Sequence, residues 1–167
     1  SYTAQLRLDS DCIEQERQQR IDQVLVQMGL SKSRNTVVGT PLKKGISGGE
    51  RKRLCVAMEL LMHPSLLFLD EPTSGLDSVA ALGLVASLKE LVHNWNCTVV
   101  CTIHQPQSKI FNMFENLLLL KSGKILYQGS TTGALEFYER AGYPCPPLTN
   151  PADHLLDIIQ PALGADV

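Results

Sequence analysis

The amino-acid sequence predicts an α/β protein in which a helical segment is followed by a parallel strand–helix–strand unit and then by a hairpin. Residues 65–69 form a short apolar run, which is typical of a strand buried on both faces. Residues 77–94 place apolar side chains at helical spacing, and residues 97–103 form a second run typical of a buried strand. Because a strand, a helix and a strand in this order favour a right-handed crossover, the two strands are predicted to be parallel.

Further elements are predicted from capping and turn residues. They are a helix from Asp9 or Ser10 to Gly29, a helix from Ser47 to about Met62, a hairpin turned by residues 121–124, a helix over 132–140, and a last helix over 151–159 with Asn150 as its N-cap. These elements predict three parts: a helical part at 1–64, a strand-containing part at 65–130 and a C-terminal extension at 131–167.

Composition excludes several classes of protein. The 167 residues are 44% hydrophobic and 19% charged, with a net charge of −2, which is ordinary for one globular domain and unlike a nucleic-acid binder. Five cysteines without a C-x-x-C pair indicate neither a disulfide scaffold nor a zinc site. Apolar runs such as residues 117–120 are far shorter than the roughly 20 residues of a membrane span.

The first chemically suggestive motif is Ser47-Gly48-Gly49-Glu50, at the predicted start of a helix. One interpretation is a capping box, in which Ser47 caps the helix and Glu50 reaches back to the Ser47 amide. That interpretation does not explain two glycines at the first helical positions, where they lower helix stability. The alternative is a phosphate site, since glycines leave the backbone amides of a helix start open to an anion.

The second motif is an acidic pair, Asp70 and Glu71, directly after the first predicted strand. Ligands of parallel sheets bind at this end of a strand. Because adjacent residues point in different directions, Asp70 can serve a magnesium ion while Glu71 faces a water at another position. The alternative is a solvated turn.

Two further residues extend the pattern. Asp77 is a predicted helix N-cap, and His104 follows the second predicted strand, where it is expected to reach the same sheet edge as the acidic pair. A lone histidine is more often structural. The intervals of 23 residues from Ser47 to Asp70 and 34 from Asp70 to His104 leave room for one helix in each case.

These motifs, in this order, resemble those of ABC ATPases. The finer resemblance is to the G subfamily of ABC transporters, the white/pigment-type half-transporters. It is carried by Glu50 where most ABC families have glutamine, by the segment Thr102-Ile103-His104-Gln105-Pro106, and by Asn150-Pro151-Ala152-Asp153. The resemblance covers nearly the whole chain and implies the later part of a P-loop NTPase-type domain.

The resemblance implies a role for each motif. Asp70 would hold Mg²⁺, Glu71 would be the general base or orient the water, and His104 would contact the γ-phosphate. Ser47, Gly48, Gly49, Glu50 and the D-loop residue Asp77 would contact ATP held by a second ABC ATPase domain. A membrane-spanning domain would be the other partner, which implies a location at the cytoplasmic face of a membrane.

The sequence contains no G-x-x-x-x-G-K-[ST] motif, the P-loop that cradles phosphates. The chain alone is therefore expected to lack appreciable ATPase activity. Two alternatives to a transporter ATPase remain open: a fragment of a soluble ABC ATPase, and a non-catalytic dimerisation module that offers its signature to a complete partner.

Overall fold

The computed structural model describes residues 2–8, 12–40 and 42–159. The chain forms two compact units, Ser1–Ile103 and His104–Val167. Their boundary falls inside the predicted middle part at 65–130, so the division into three parts stays a prediction.

The first unit contains four helices and two strands among its described residues. They are α1 (Tyr2–Arg7), α2 (Glu14–Gln27), a 3₁₀ turn (Ser31–Ser33), α3 (Gly48–Leu60), β1 (Leu66–Leu69), α4 (Ser78–Trp95) and β2 (Thr98–Cys101). The predicted cap of the first helix, Asp9 or Ser10, lies outside the described residues. The structure begins α2 at Glu14, and Gly29 follows its C-terminal end with a positive φ of 63°.

The two strands of the first unit are parallel, as predicted, with pairs running from Leu66 opposite Thr98 to Leu69 opposite Cys101. The prediction that both strands are buried on both faces is wrong. Leu67 is 6% exposed, whereas Phe68 is 71% exposed. Successive side chains of a strand point to opposite faces, and the core of this unit packs against one face only.

The core of the first unit forms where α2, α3 and α4 pack together. Its largest fully buried side chains are Met28, Leu60, Leu84 and Leu91, together with Cys97. The three helices also meet around Trp95, the last residue of α4. The His63 ring stacks on Trp95 with 5.2 Å between ring centroids, and the Arg20 guanidinium lies 4.7 Å from the Trp95 ring centroid. Arg20 also donates to the carbonyl oxygens of Leu60 and Leu61 at the end of α3.

The second unit contains α5 (Ser108–Phe111), β3 (Asn116–Lys121), β4 (Lys124–Ser130), α6 (Thr131–Arg140) and α7 (Pro151–Ile159). β3 and β4 form the predicted antiparallel hairpin. Its two turn residues, Ser122 and Gly123, have φ values of 49° and 75°, which fits a type I′ turn. Asn150 caps α7 as predicted, since its Oδ1 accepts from the Ala152 amide at 3.2 Å.

No helix among residues 2–8, 12–40 and 42–159 is both long enough and apolar enough to cross a bilayer.

Candidate functional site

The start of α3 is a complete capping box. The Ser47 hydroxyl oxygen accepts from the Glu50 amide at 3.2 Å, and the Ser47 amide donates to the Glu50 carboxylate at 2.8 Å. Gly48 and Gly49 occupy the first two helical positions, so their amides have no acceptor within the helix. The capping box and the anion-binding interpretation are therefore compatible at this helix start.

Glu50 is held by more than the capping box, because the Ser33 hydroxyl donates a short hydrogen bond to its other carboxylate oxygen. The Ser33 hydroxyl, followed by the Ser47 amide and hydroxyl, lowers the pKa of Glu50 to about 2. The Glu50 side chain thus ties the 3₁₀ turn to the start of α3 as a carboxylate at neutral pH.

The two glycines of this helix start have different surroundings. A Cβ added to Gly48 would meet open space, whereas one added to Gly49 would lie 3.0 Å from the Cβ of Ala80. Gly49 is buried. α4 therefore passes close to Gly49 on the side where a side chain would lie, and the expectation that both glycines leave the backbone open to a ligand stays a prediction.

The acidic pair lies at the exposed carboxyl end of β1. Glu71 has a positive φ of 42°, an uncommon backbone conformation for a residue with a side chain. The Thr102 hydroxyl accepts from the Glu71 amide at 2.8 Å and donates to the Asp70 carboxylate at 2.6 Å. One hydroxyl after β2 therefore orders both acidic residues after β1.

Thr102 belongs to the motif that contains His104, but no role was predicted for it from the sequence. The available signal was a hydroxyl residue at the end of the neighbouring parallel strand, two positions before His104.

The segment from Glu71 to Asp77 is a compact loop that ends in the predicted N-cap of α4. The Ser74 amide donates to the Glu71 carbonyl at 3.1 Å, and Gly75 has a positive φ of 75°. Asp77 Oδ1 accepts from the amides of Val79 and Ala80 at 3.0 and 2.9 Å. Since Ala80 also contacts Gly49, the caps of α3 and α4 are close neighbours.

A cavity of about 520 Å³ lies between the start of α3 and the end of β1. Gly48 and Asp70 both line it, with the cationic side chains of Arg51 and Lys52 and the loop residue Ser74. The end of β1 and the glycine turn therefore border one cleft, whose α3 side carries Arg51, Lys52 and Glu59.

The remaining predicted site residue, His104, is exposed and is the first residue of the second unit. Its expected position at the same sheet edge as Asp70 and Glu71 stays a prediction. Within the described ranges, no group of three His, Cys, Asp or Glu side chains is arranged to hold a metal.

The fold defines the class of protein. The chain is similar to cbiO1 of Clostridium perfringens, part of the ABC transporter complex cbiONQ, with a TM-score of 0.68 and 24% identity, covering 94% of this chain and 59% of that one. The fold is that of an ABC ATPase domain. Residues 2–74 match the ABC transporter family model, and residues 104–164 match the model of ABC-2 type transporters.

Closer similarity is found among whole transporters. The chain is 49% identical to ABC transporter G family member 25 of Arabidopsis thaliana, over 94% of this chain and 24% of that protein. It is 45% identical to the broad substrate specificity ATP-binding cassette transporter of Mus musculus, over 95% and 24%. It is 47% identical to the ABC transporter ATP-binding protein/permease wht-1 of Caenorhabditis elegans, over 93% and 23%.

The chain belongs to the G family of ABC transporters and is part of their ATP-binding domain. It spans about a quarter of the length of these relatives. The earlier resemblance, the fold class and the assignment to a transporter ATPase are thereby confirmed. Nucleotide binding is a property of this domain family.

Proposed function

We propose that this chain supplies the magnesium-binding and water-orienting carboxylates, together with the signature helix, of an ABC transporter ATPase. The observation that carries the proposal is the ordered acidic pair at the end of β1, held by one hydroxyl from the neighbouring strand. Carboxylates at this end of a parallel sheet suit metal-assisted phosphoryl transfer, which depends on positioning and charge stabilisation.

Asp70 is the residue that would hold Mg²⁺. Its carboxylate is exposed and keeps an oxygen besides the one that accepts from Thr102, which fits an ion that takes one or two carboxylates along with waters and phosphate oxygens. When bound, the ion would neutralise charge on the phosphates. Glu71, with its backbone turned into a left-handed conformation, would orient the attacking water or accept its proton.

The signature residues would act on a nucleotide held by a second ABC ATPase domain. Ser47 and Gly48 are exposed and would offer a hydroxyl and an amide, and Gly49, although buried, would offer its amide at the helix start. Glu50 would hold the helix start in shape, and Asp77 would place the neighbouring loop at the same interface. The role of His104 at the γ-phosphate rests on its motif.

The partners of the whole protein follow from the same comparisons. The match of residues 104–164 to ABC-2 type transporters supports a membrane-spanning domain as a partner, with the ATPase domain at the cytoplasmic face. ATP binding and hydrolysis between two such domains would drive transport. The same match favours a transporter over a soluble ABC ATPase.

The chain by itself is expected to turn over no ATP above background. One preorganised donor to developing charge is worth about 3 kcal/mol, and the absent P-loop motif would supply several. A steady-state phosphate-release assay with Mg²⁺ and ATP checks this expectation, with Glu71→Gln as the control. Hydrolysis by the wild-type chain that disappears in Glu71→Gln would contradict it.

The signature role is tested by association with an intact ATP-binding domain of a G-family relative. With Mg²⁺ and a non-hydrolysable ATP analogue, we expect a mixed dimer in sedimentation velocity experiments. Gly48→Asp should abolish the mixed dimer, because it adds a negative charge beside the expected triphosphate. Gly48→Ala is the matched control, since a Cβ at this position meets open space and adds no charge.

Equal association of all three chains, or association that does not depend on the nucleotide, would contradict the proposed role of the glycine turn.

A further inference from the structure

Thr102, directly after β2, has hydrogen bonds that suggest a role not included in the proposed function. We propose that Thr102 is a positioning residue that orders the Asp70 carboxylate and the Glu71 backbone as one unit. The inference rests on the proposed function in one respect only, which is that Asp70 faces a divalent cation.

The backbone first brings Thr102 to the acidic pair. The last residue pair of the parallel sheet joins Leu69 to Cys101, and the Thr102 amide then donates to the Leu69 carbonyl at 3.0 Å. The ladder therefore continues one residue past the strands. This continuation places the exposed Thr102 side chain beside Asp70.

The Thr102 hydroxyl is then used in both of its capacities. Its hydrogen is donated to Asp70 Oδ1 at 2.6 Å, and its oxygen accepts from the Glu71 amide at 2.8 Å. A hydroxyl has one hydrogen to donate, so the bond to Asp70 commits it. Hydrogen bonds to an ionised carboxylate are stronger than neutral ones, so this bond defines the carboxylate's orientation.

The second bond acts on the backbone of Glu71. A positive φ is unfavourable for a residue with a Cβ and persists only where surrounding contacts enforce it. The bond from the Glu71 amide to Thr102 is such a contact, and Glu71 has a φ of 42°. One Asp70 oxygen is thus committed to Thr102, and the other is left for a ligand.

Two variants separate this role from a general contribution to folding. Thr102→Val keeps the shape and the β-branch but removes the hydroxyl, whereas Thr102→Ser keeps the hydroxyl. Amide hydrogen exchange of the full 167-residue chain, followed by NMR, reports on the Glu71 amide directly. We expect exchange at Glu71 to be about tenfold faster in Thr102→Val and close to wild type in Thr102→Ser, because one hydrogen bond is lost in the first variant only.

A second measurement tests the carboxylate. Titration with MnCl₂ should broaden the amide signals of Asp70 and Glu71 in the wild-type chain and in Thr102→Ser. In Thr102→Val the manganese concentration needed for the same broadening should rise several-fold. Broadening near the exposed carboxylates Glu136 and Asp157 of the second unit is the internal reference and should not change.

The outcomes distinguish this inference from the proposed function. Equal exchange at Glu71 and equal broadening at Asp70 in all three chains would overturn the positioning role and leave the proposed function standing. Absence of manganese broadening at Asp70 in the wild-type chain would overturn the magnesium role itself. In that case the exchange rates alone would still decide whether Thr102 orders the Glu71 backbone.

Discussion

At the scale of single residues, Glu71 combines an unfavourable backbone conformation with a proposed chemical role. A left-handed conformation costs a residue with a Cβ about 1 to 2 kcal/mol. The structure compensates part of this cost with the hydrogen bond from the Glu71 amide to Thr102. Strain of this kind is concentrated at functional sites, which agrees with the assignment of Glu71 to the chemistry.

The strain at Glu71 predicts a difference between two substitutions. Glu71→Gly should raise the free energy of unfolding by about 1 kcal/mol relative to Glu71→Ala, because glycine adopts a positive φ without steric cost and alanine does not. Both variants lack the carboxylate, so the comparison isolates the backbone. Urea denaturation followed by circular dichroism measures the difference, and equal stability would show that Glu71 is not held at a positive φ.

A second prediction concerns pH and Glu50. The folded chain lowers the pKa of Glu50 to about 2, and an unfolded glutamate titrates near about 4.3. Its contribution to stability is therefore fully present above about pH 5 and is lost as the pH falls from about 4.3 towards 2.

Glu50→Gln cannot titrate at this position, so it is the control for the pH dependence. As the pH falls from about 5 to about 3, the urea midpoint of the wild-type chain should fall relative to that of Glu50→Gln. A difference that stays constant over this range would contradict the bonds from Ser33 and Ser47.

Residue-level features were predictable from sequence where the interaction is local. Ser47, Asp77 and Asn150 cap helices within three residues of their own positions, and all three caps are present as predicted. Thr102 contacts residues 31 and 32 positions away, and only the strand register creates that contact. No local pattern in the sequence could have assigned its role.

At the scale of elements, the crossing of α3 and α4 determines what the two signature glycines can tolerate. Gly48→Ala should raise the free energy of unfolding by up to about 1 kcal/mol, because alanine favours helix and meets open space. Gly49→Ala should be at least about 1 kcal/mol less stable than Gly48→Ala, since its Cβ would crowd Ala80.

The double variant Gly49→Ala with Ala80→Gly tests whether the crowding is specific. It should recover stability relative to the sum of the two single changes, which is the signature of residues in contact. Additive effects in a thermal denaturation series would mean that α3 and α4 do not approach each other at this position.

The burial of the strands was the element-level expectation that failed. Apolar runs such as Leu66-Leu67-Phe68-Leu69 predict strands covered on both faces, and the sequence pattern cannot say which segment covers each face. Leu67 faces the packed helices, whereas Leu66 and Phe68 are exposed. The strands and their parallel pairing were predictable from the sequence. Which face of the sheet is covered depends on the segments that pack against it, and the apolar run does not identify these segments.

At the scale of the whole molecule, the uncovered face of the β1–β2 sheet predicts self-association of this chain in isolation. Phe68 and Val100 are 71% and 47% exposed on neighbouring strands. Phe68→Thr should reduce concentration-dependent association without a loss of stability, because threonine favours strands and removes an exposed aromatic ring.

The control for this prediction is Leu67→Thr, which lies on the packed side of the same strand and should be destabilised instead. Light scattering over a concentration series, paired with thermal denaturation, separates the two effects. If Phe68→Thr associates as strongly as the wild-type chain, the exposed face of the β1–β2 sheet is not the surface of self-association.

The stacking around Trp95 has a practical consequence for work on the first unit. Trp95 is the sole tryptophan of the chain, and its ring contacts the imidazole of His63, which follows α3, and the guanidinium of Arg20 in α2. Its emission is therefore an intrinsic optical signal of whether α2, α3 and α4 remain packed at this point. Loosening of the signature-bearing helix α3 from its neighbours can be followed in this chain without attaching a dye.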